Sequence, residues 1–404
     1  MKHALSEASL PRGFRFAGLA CGLKKTGALD LAIISSDVPA SAAAVFTQNL
    51  VVAAPVTISK EHLRASKGRM RAVIVNAGNA NCATGPAGHA AAQKTVAETA
   101  KRVGCTPNEI IVCSTGVIGV PLAVDKILRS LAKLTRNRRP SVRSFAELSL
   151  AICTTDTRPK TAGSSFKMAG KKIHMVGCAK GAGMIHPNLA TTLAFVVTDA
   201  AILPALLQKT LRDVTSRTFN SISVDGDSST NDTLLVFANG AAGAPTIRAR
   251  TAAHHAFAAA LEEVCQSLAL QIVADGEGAQ RVIEIAIRGA RTEAAARRIA
   301  ETIATSPLVK TAFAGGDPNW GRIFAAAGRS GVAFDPTRVD ITMAGVPVLR
   351  RGCPLEFNER AASNRLLAEH VPIILHLHAG TASARYWTCD LTAEYVRINA
   401  SYRT

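Results

Sequence analysis

Aromatic rings, acidic side chains and ordered cysteine pairs are all scarce in this 404-residue chain. Only 4% of residues are Phe, Trp or Tyr, too few to build a surface on which nucleic-acid bases stack. Acidic residues number 29 against 47 Lys and Arg, leaving a formal charge of +18. No helix-turn-helix, RNP or zinc-finger pattern accompanies that charge, so it reads as a solvated basic face that attracts small anions rather than nucleic acid. Nine cysteines stand at positions 21, 82, 105, 113, 153, 178, 265, 353 and 389, odd in number and never spaced CxxC. That excludes a disulfide framework and a cysteine zinc site, fits a reducing cytoplasm, and predicts buried small hydrophobes. No apolar run reaches the roughly 18 residues of a membrane span, and MKHALSEASLPRGFRFAG has no apolar secretory core. A Walker loop and a strand-linked GxGxxG are also absent, which removes support for a nucleotide cofactor.

What is present is ordinary for a folded enzyme of about two domains: 48% hydrophobic and 19% charged residues. LDLAIIS (29–35), AVIVNAG (72–78), EIIVCST (109–115), TLAFVVTD (192–199) and NDTLLVFANG (231–240) read as strands. Residues 88–104 form a helix ended by Gly104, and 255–276 form a long apolar-faced helix. VIEIAIRG (282–289) is a strand before a Thr292-capped helix. VDITMAG (339–345), an Asn358-capped helix over 359–370 and IILHLHAG (373–380) follow. The pattern is α/β or α+β throughout, without repeats, and a smaller second unit begins near Asp275. The densest basic stretch, RNRRPSVR with Arg136, Arg138, Arg139 and Arg143, reads as a loop.

The most informative segment is KGAGMIHPNLATTLAFVVTDA, Lys180 to Ala200. A glycine- and proline-containing loop leads to Thr191 at the start of an apolar, β-branched run. A threonine hydroxyl needs a neighbouring base to act as nucleophile, and its own α-amine can be that base. That amine exists only if the chain is cut between Ala190 and Thr191, so the order loop, threonine, strand points to a self-cleaving precursor. Gly181 and Gly183 permit close backbone approach or positive φ, and Pro187 stiffens the turn. STGVIG (114–119) offers Thr115 and the Gly116 N–H as donors to a developing oxyanion, though it also fits a plain strand-to-loop turn. The hydroxyls of TTDTRPK (154–160) could line a polar pocket or form turns. Lys180 could meet a substrate carboxylate or stay solvated. VDGDSSTND (224–232) starts like a calcium loop but lacks the sixth-place glycine and the closing glutamate. His376 and His378 have no third ligand near in sequence, so no metal site is expected.

Taken together, GFRFAGLACGLKKTGALDLAII, AAVFTQNLVVAAPV, VNAGNANCATG, CSTGVIGVPL, TTDTRPK, KGAGMIHPNLAT, SISVDGDSSTNDT, GGDPNWGRI and CDLTAEYVRINASYRT run along nearly the whole chain. In that order they resemble the glutamate N-acetyltransferase/ornithine acetyltransferase family of arginine biosynthesis. The resemblance implies an α/β fold of layered sheets sandwiched by helices, of N-terminal-nucleophile type, with a smaller C-terminal α/β unit at about 275–404. It implies self-cleavage into an α chain, 1–190, and a β chain, 191–404, which pair as a heterodimer and associate further into a heterotetramer. Thr191 would be the acetylated nucleophile, and Thr115 and Gly116 the oxyanion donors. Thr154, Lys180, Thr191, Glu277, Asn399 and Thr404 match substrate-binding positions. The implied reaction moves acetyl from N2-acetylornithine to glutamate without a cofactor, with acetyl-CoA as a possible second donor. The alternative is a related self-cleaving amidohydrolase or aminopeptidase, in which water accepts the acyl group. The chain departs from the family at Thr192, where methionine is usual, and strand alternation points that side chain away from residue 191.

Overall fold

The computed structural model describes residues 6–186 and 192–401. Among the described residues, fifteen strands form two sheets. In chain order they are β1 (Phe14–Leu19), β2 (Leu31–Phe46), β3 (Arg69–Asn79), β4 (Ile110–Val117), β5 (Lys160–Met168), β6 (Lys171–Lys180), β7 (Leu193–Thr198), β8 (Ile222–Ser223), β9 (Thr233–Ala238) and β10 (Val282–Ala290). They continue as β11 (Asp340–Met343), β12 (Val346–Arg350), β13 (Cys353–Pro354), β14 (His370–His376) and β15 (Ala382–Cys389).

The larger sheet runs β4-β3-β2-β9-β7-β6-β5, with β1 paired to β2. β2 reaches well beyond the 29–35 read from sequence, and its length makes one sheet of two halves. Leu31–Ser35 pairs with β1 and β3, and Ser41–Phe46 pairs with β9. The register slips between Ser35 and Ala40, where Asp37–Pro39 are exposed. One interior cluster packs Phe16, Val75 and Ile111 from the first half with Phe195, Val197 and Phe237 from the second. Outside it, helices Gly85–Val103 and Val124–Arg136 cover the first half, and Pro204–Arg217 and Ala252–Ala274 cover the second. Every residue of β7 and β9 is consequently buried. Strands covered on both faces read as continuous apolar runs, which is why LAFVVT and TLLVFA stand out in the sequence.

The smaller sheet runs β13-β12-β11-β14-β10-β15-β8 and carries its own cluster around Ile285, Ile299, Phe313 and Tyr386. Its edge strand β8 comes from residues 222–223, so the two sheets share chain.

Several expectations need correction. The Asn358-capped helix stops at Leu366, and His370 already opens β14, because Val371 and Ile373 must face the second core. RNRRPSVR is not all loop: Arg136 ends one helix and Arg143 lies in the next, Val142–Ala151. Ala252–Ala274, at 23 residues, is long and apolar enough by length and composition to cross a membrane. It is a core helix instead: Phe257, Leu261, Val264, Leu268 and Ile272 are all buried in the cluster it forms with the outer face of the second half of the sheet, against β5 and β6. The cysteines are all free; five are buried, but Cys353 is exposed. His376 and His378 stack with ring centroids 3.8 Å apart, and His378 Nε2 lies 2.8 Å from Asp340.

Candidate active site

Residues far apart in sequence converge on one cavity of about 240 Å³. Its lining includes Thr115, Gly116, Thr154, Lys180, Glu277 and Asn399, six of the positions singled out from the sequence. Ala190, Thr191 and Thr404, with Pro187, lie outside the described residues. The residues flanking 187–191 are in place, since Met184, Ile185 and Thr192 also line the cavity.

Thr115 and Gly116 end β4 against the end of β3. Gly116 has φ 129°, and a Cβ there would lie 2.4 Å from the Gly78 carbonyl carbon and 2.5 Å from the Asn79 nitrogen. Only glycine fits, for both conformation and space. The strand end is tied down from across the sheet: Asn231 Nδ2 donates to the carbonyls of Ala80 (2.6 Å) and Ser114 (2.9 Å), and the Ser114 hydroxyl donates to Asn76.

Thr154 and Lys180 are held by a buried ion cluster. Asp156 Oδ2 accepts the Thr154 N–H at 2.9 Å, and Oδ1 accepts the Gly181 N–H at 2.7 Å. Lys160, wholly buried, joins Asp156 and Asp275 at 2.5 Å each. Asp275 also accepts from the Thr157 N–H and hydroxyl. Burial by itself would push the Asp156 carboxyl up, but Lys180, Lys160 and the Gly181 N–H together hold it below the ordinary aspartate range. One cluster thus links the loop of Thr154, the end of β6 and the end of the Ala252–Ala274 helix, two residues before Glu277.

Glu277 is 8% exposed and owes its place to a missing side chain opposite. A Cβ on Gly183 would lie 2.5 Å from Glu277 Oε2. The Glu277 N–H donates to the Ala182 carbonyl, and Asn399 Nδ2 donates to Oε2 at 2.8 Å. The C-terminal helix Ala393–Ser401 brings Asn399 by packing on Gly278, whose φ is 72° and where a Cβ would lie 2.6 Å from the Tyr395 nitrogen.

The sequence reading tested VDGDSSTND only as a calcium loop and missed its place here. Asp225 accepts the N–H groups of Met184 (2.6 Å) and Ile185 (2.9 Å), and Tyr395 donates to it at 3.4 Å. Met184 takes φ 58°, a conformation uncommon for a side-chain-bearing residue, and this pair of bonds fixes it. Asp225, Asp227, Ser229, Thr230, Asn231 and Asp232 all line the cavity. The density of acids and hydroxyls was the available signal. The lining therefore combines the Lys180 cation and the hydroxyls of Thr115 and Thr154 with the carboxyl groups of Glu277 and Asp225. Thr192 is 4% exposed, and its carbonyl accepts the Thr233 N–H at 2.9 Å, which anchors the start of β7 to β9.

The ArgJ family model matches residues 15–404. The Arginine biosynthesis bifunctional protein ArgJ of Thermus thermophilus is 47% identical over 395 residues, covering 98% of this chain and 99% of that protein. Its namesake from Geobacter sulfurreducens is 45% identical over 394 residues, covering 97% and 99%. The crystal structure of Arginine biosynthesis bifunctional protein argJ from Bacillus halodurans superposes with a TM-score of 0.51 at 43% identity, over 52% of this chain and 98% of that one. Similarity of that extent, over both lengths and through every segment that builds the cavity, places the chain without ambiguity: it belongs to the ArgJ family.

Proposed function

We propose that the chain is a self-processing acetyltransferase of arginine biosynthesis that moves acetyl from N2-acetylornithine to glutamate. The observation that carries this is the single cavity joining Thr115, Gly116, Thr154, Lys180, Glu277 and Asn399 beside the start of β7. In the first reaction the Thr191 hydroxyl attacks the Ala190 carbonyl carbon, the peptide C–N bond breaks, and the nitrogen takes the hydroxyl proton. Water then hydrolyses the ester and leaves an α chain, 1–190, and a β chain, 191–404, with a free Thr191 amine.

In the second reaction the freed amine takes the Thr191 hydroxyl proton while oxygen attacks the acetyl carbonyl. Thr115 and the Gly116 N–H receive the negative oxygen, and ornithine leaves with the proton. Glutamate's amine then attacks the acetyl ester and regenerates the threonine. Lys180 pairs with the substrate carboxylate, and Glu277, held by Asn399, pairs with the ammonium of the ornithine side chain; Thr154 and Thr404 complete the binding set. A lining that holds both a cation and carboxyl groups suits a substrate that carries both charges. The reaction needs no cofactor, acetyl-CoA serves at most as a second donor, and α and β chains stay paired and assemble further in the cytoplasm.

Intact mass spectrometry of the wild type beside Thr191→Ala tests the processing. Two fragments divided at Ala190–Thr191 in the wild type only are expected, and one 404-residue chain in both overturns the reading. Transfer assays from N2-acetylornithine and from acetyl-CoA then identify the donors, and free acetate in place of N-acetylglutamate favours a hydrolase.

A further inference from the structure

The carboxylates around the cavity differ in their partners. Asp225 accepts two backbone N–H groups, Glu277 accepts from Asn399, and Asp227 is open to solvent. Asp232 is 3% exposed, lines the cavity with Lys180, Thr192 and Ser229, and has an Oδ2 shielded from solvent without a hydrogen-bonding partner among the described residues. A buried polar atom left unpaired in a native fold calls for a reason. Burial pushes the Asp232 carboxyl well above the ordinary aspartate range, against the opposing pull of the Ser229 hydroxyl, Lys180 and the Ser229 N–H. A carboxyl buried this deeply with an unpaired oxygen favours the neutral form over the charged one, and the neutral form has an O–H to give.

We propose that Asp232 is a further substrate-binding residue, whose carboxyl O–H is donated to the α-carboxylate of the bound amino acid beside the Lys180 ammonium. This rests on the acetyltransferase reading and deepens it. N2-acetylornithine and glutamate carry side chains of opposite charge, so contacts that serve both must lie at the α-carboxylate they share. Lys180 is the only cationic residue among the described residues of the lining. A second donor there that is neutral adds a hydrogen bond without a second buried charge. The other titratable groups facing the cavity are Asp225, Asp227, Glu277 and Tyr395. All of them are acidic groups, so none supplies a further cation. An arriving carboxylate further disfavours ionisation of Asp232, so substrate binding keeps the proton in place.

The test uses the processed enzyme with Asp232→Asn and Asp232→Val, each checked for cleavage by intact mass and for folding by Tm. The substrates are N2-acetylornithine and its α-carboxamide analogue. Val should raise KM for N2-acetylornithine about tenfold with little change in kcat, and add no loss on the carboxamide. Asn retains an N–H donor and should recover most of that loss. The wild type should show an alkaline rise in KM as Asp232 ionises, and Asn should lack it. A Val variant that weakens both substrates equally, or an Asn variant as impaired as Val, overturns the assignment. If Val fails to fold, the Asn variant and the alkaline limb decide. A wild type that transfers no acetyl refutes the underlying reading instead, and calorimetric binding of the two ligands to wild type and variants still judges the Asp232 contact.

Discussion

Replacing Lys160 by Met should cost the enzyme stability and alignment together, and the loss should depend on pH. Lys160 is wholly buried between Asp156 and Asp275, 2.5 Å from each. Removing the cation leaves two buried carboxylates with no charge between them, and breaking a buried ion pair this way typically costs about 3–5 kcal/mol. Against a native stability of about 5–15 kcal/mol the variant should still fold, with Tm lowered by several degrees.

The sign of the pH dependence follows from Asp156. In the wild type its carboxyl is held below the ordinary aspartate value, because Lys180, Lys160 and the Gly181 N–H outweigh burial. Its contribution to stability is therefore present above the unfolded aspartate pKa of about 3.9 and is lost as pH falls through the folded value. In Lys160→Met much of that depression is gone, so Asp156 takes up a proton at higher pH and its protonation removes the repulsion between the two buried carboxylates. The Tm deficit should be largest near pH 7–8 and shrink toward pH 4. Activity should fall too, since Asp156 holds the N–H groups of Thr154 and Gly181. Differential scanning calorimetry between pH 4 and 8, with kcat/KM at each pH, reads both. A Tm deficit constant across that range, or no deficit, would refute the reasoning.

Gly116→Ala should reduce acetyl transfer about 10²–10³-fold and slow self-cleavage, because its Cβ meets the Gly78 and Asn79 backbone and displaces the proposed oxyanion donors; unimpaired turnover would remove Gly116 from that role. Lys180→Met should raise KM for N2-acetylornithine about tenfold or more, and an unchanged KM would remove the carboxylate assignment. A thiol reagent at pH 8 should label Cys353 fast and the other eight cysteines slowly, because Cys353 alone is exposed. Burial also pushes the half-buried thiols of Cys21 and Cys153 up to about 12 and that of Cys105 up to about 11. Peptide mapping that finds Cys153 labelled as fast as Cys353 would contradict this. Gly278→Ala should loosen the C-terminal helix, whose Tyr395 nitrogen a Cβ would approach to 2.6 Å. Hydrogen exchange over 393–401 should rise together with KM, through the loss of Asn399 from Glu277.

What the sequence disclosed about the site depended on how local each cause is. β7 and β9 were legible because burial on both faces writes an uninterrupted apolar run, and the Thr292 and Asn358 caps because a cap acts within three residues. The end of β4 was half legible: Thr115 and the Gly116 N–H stood out as candidate donors, but the reason glycine is required at 116, the Gly78–Asn79 backbone that a Cβ would meet at 2.4–2.5 Å, comes from another strand. Glu277 was silent. Nothing in ADGEGAQ distinguishes a surface glutamate from a site residue, because its environment comes from Gly183, which lacks a Cβ where the carboxylate sits, and from Asn399, 122 residues away. Asp156 and Lys160 were hidden for a related reason: in TTDTRPK the hydroxyls attracted attention, whereas the charged pair organises the cavity through Asp275. The resemblance to a family supplied Glu277 and Asn399 by position, yet it was silent on Asp156, Asp225 and Asp232. Those three acids hold the backbone or face the cavity. Their partners are set by how the sheet folds over itself, so their role becomes readable only when β6, β7 and β9 are side by side.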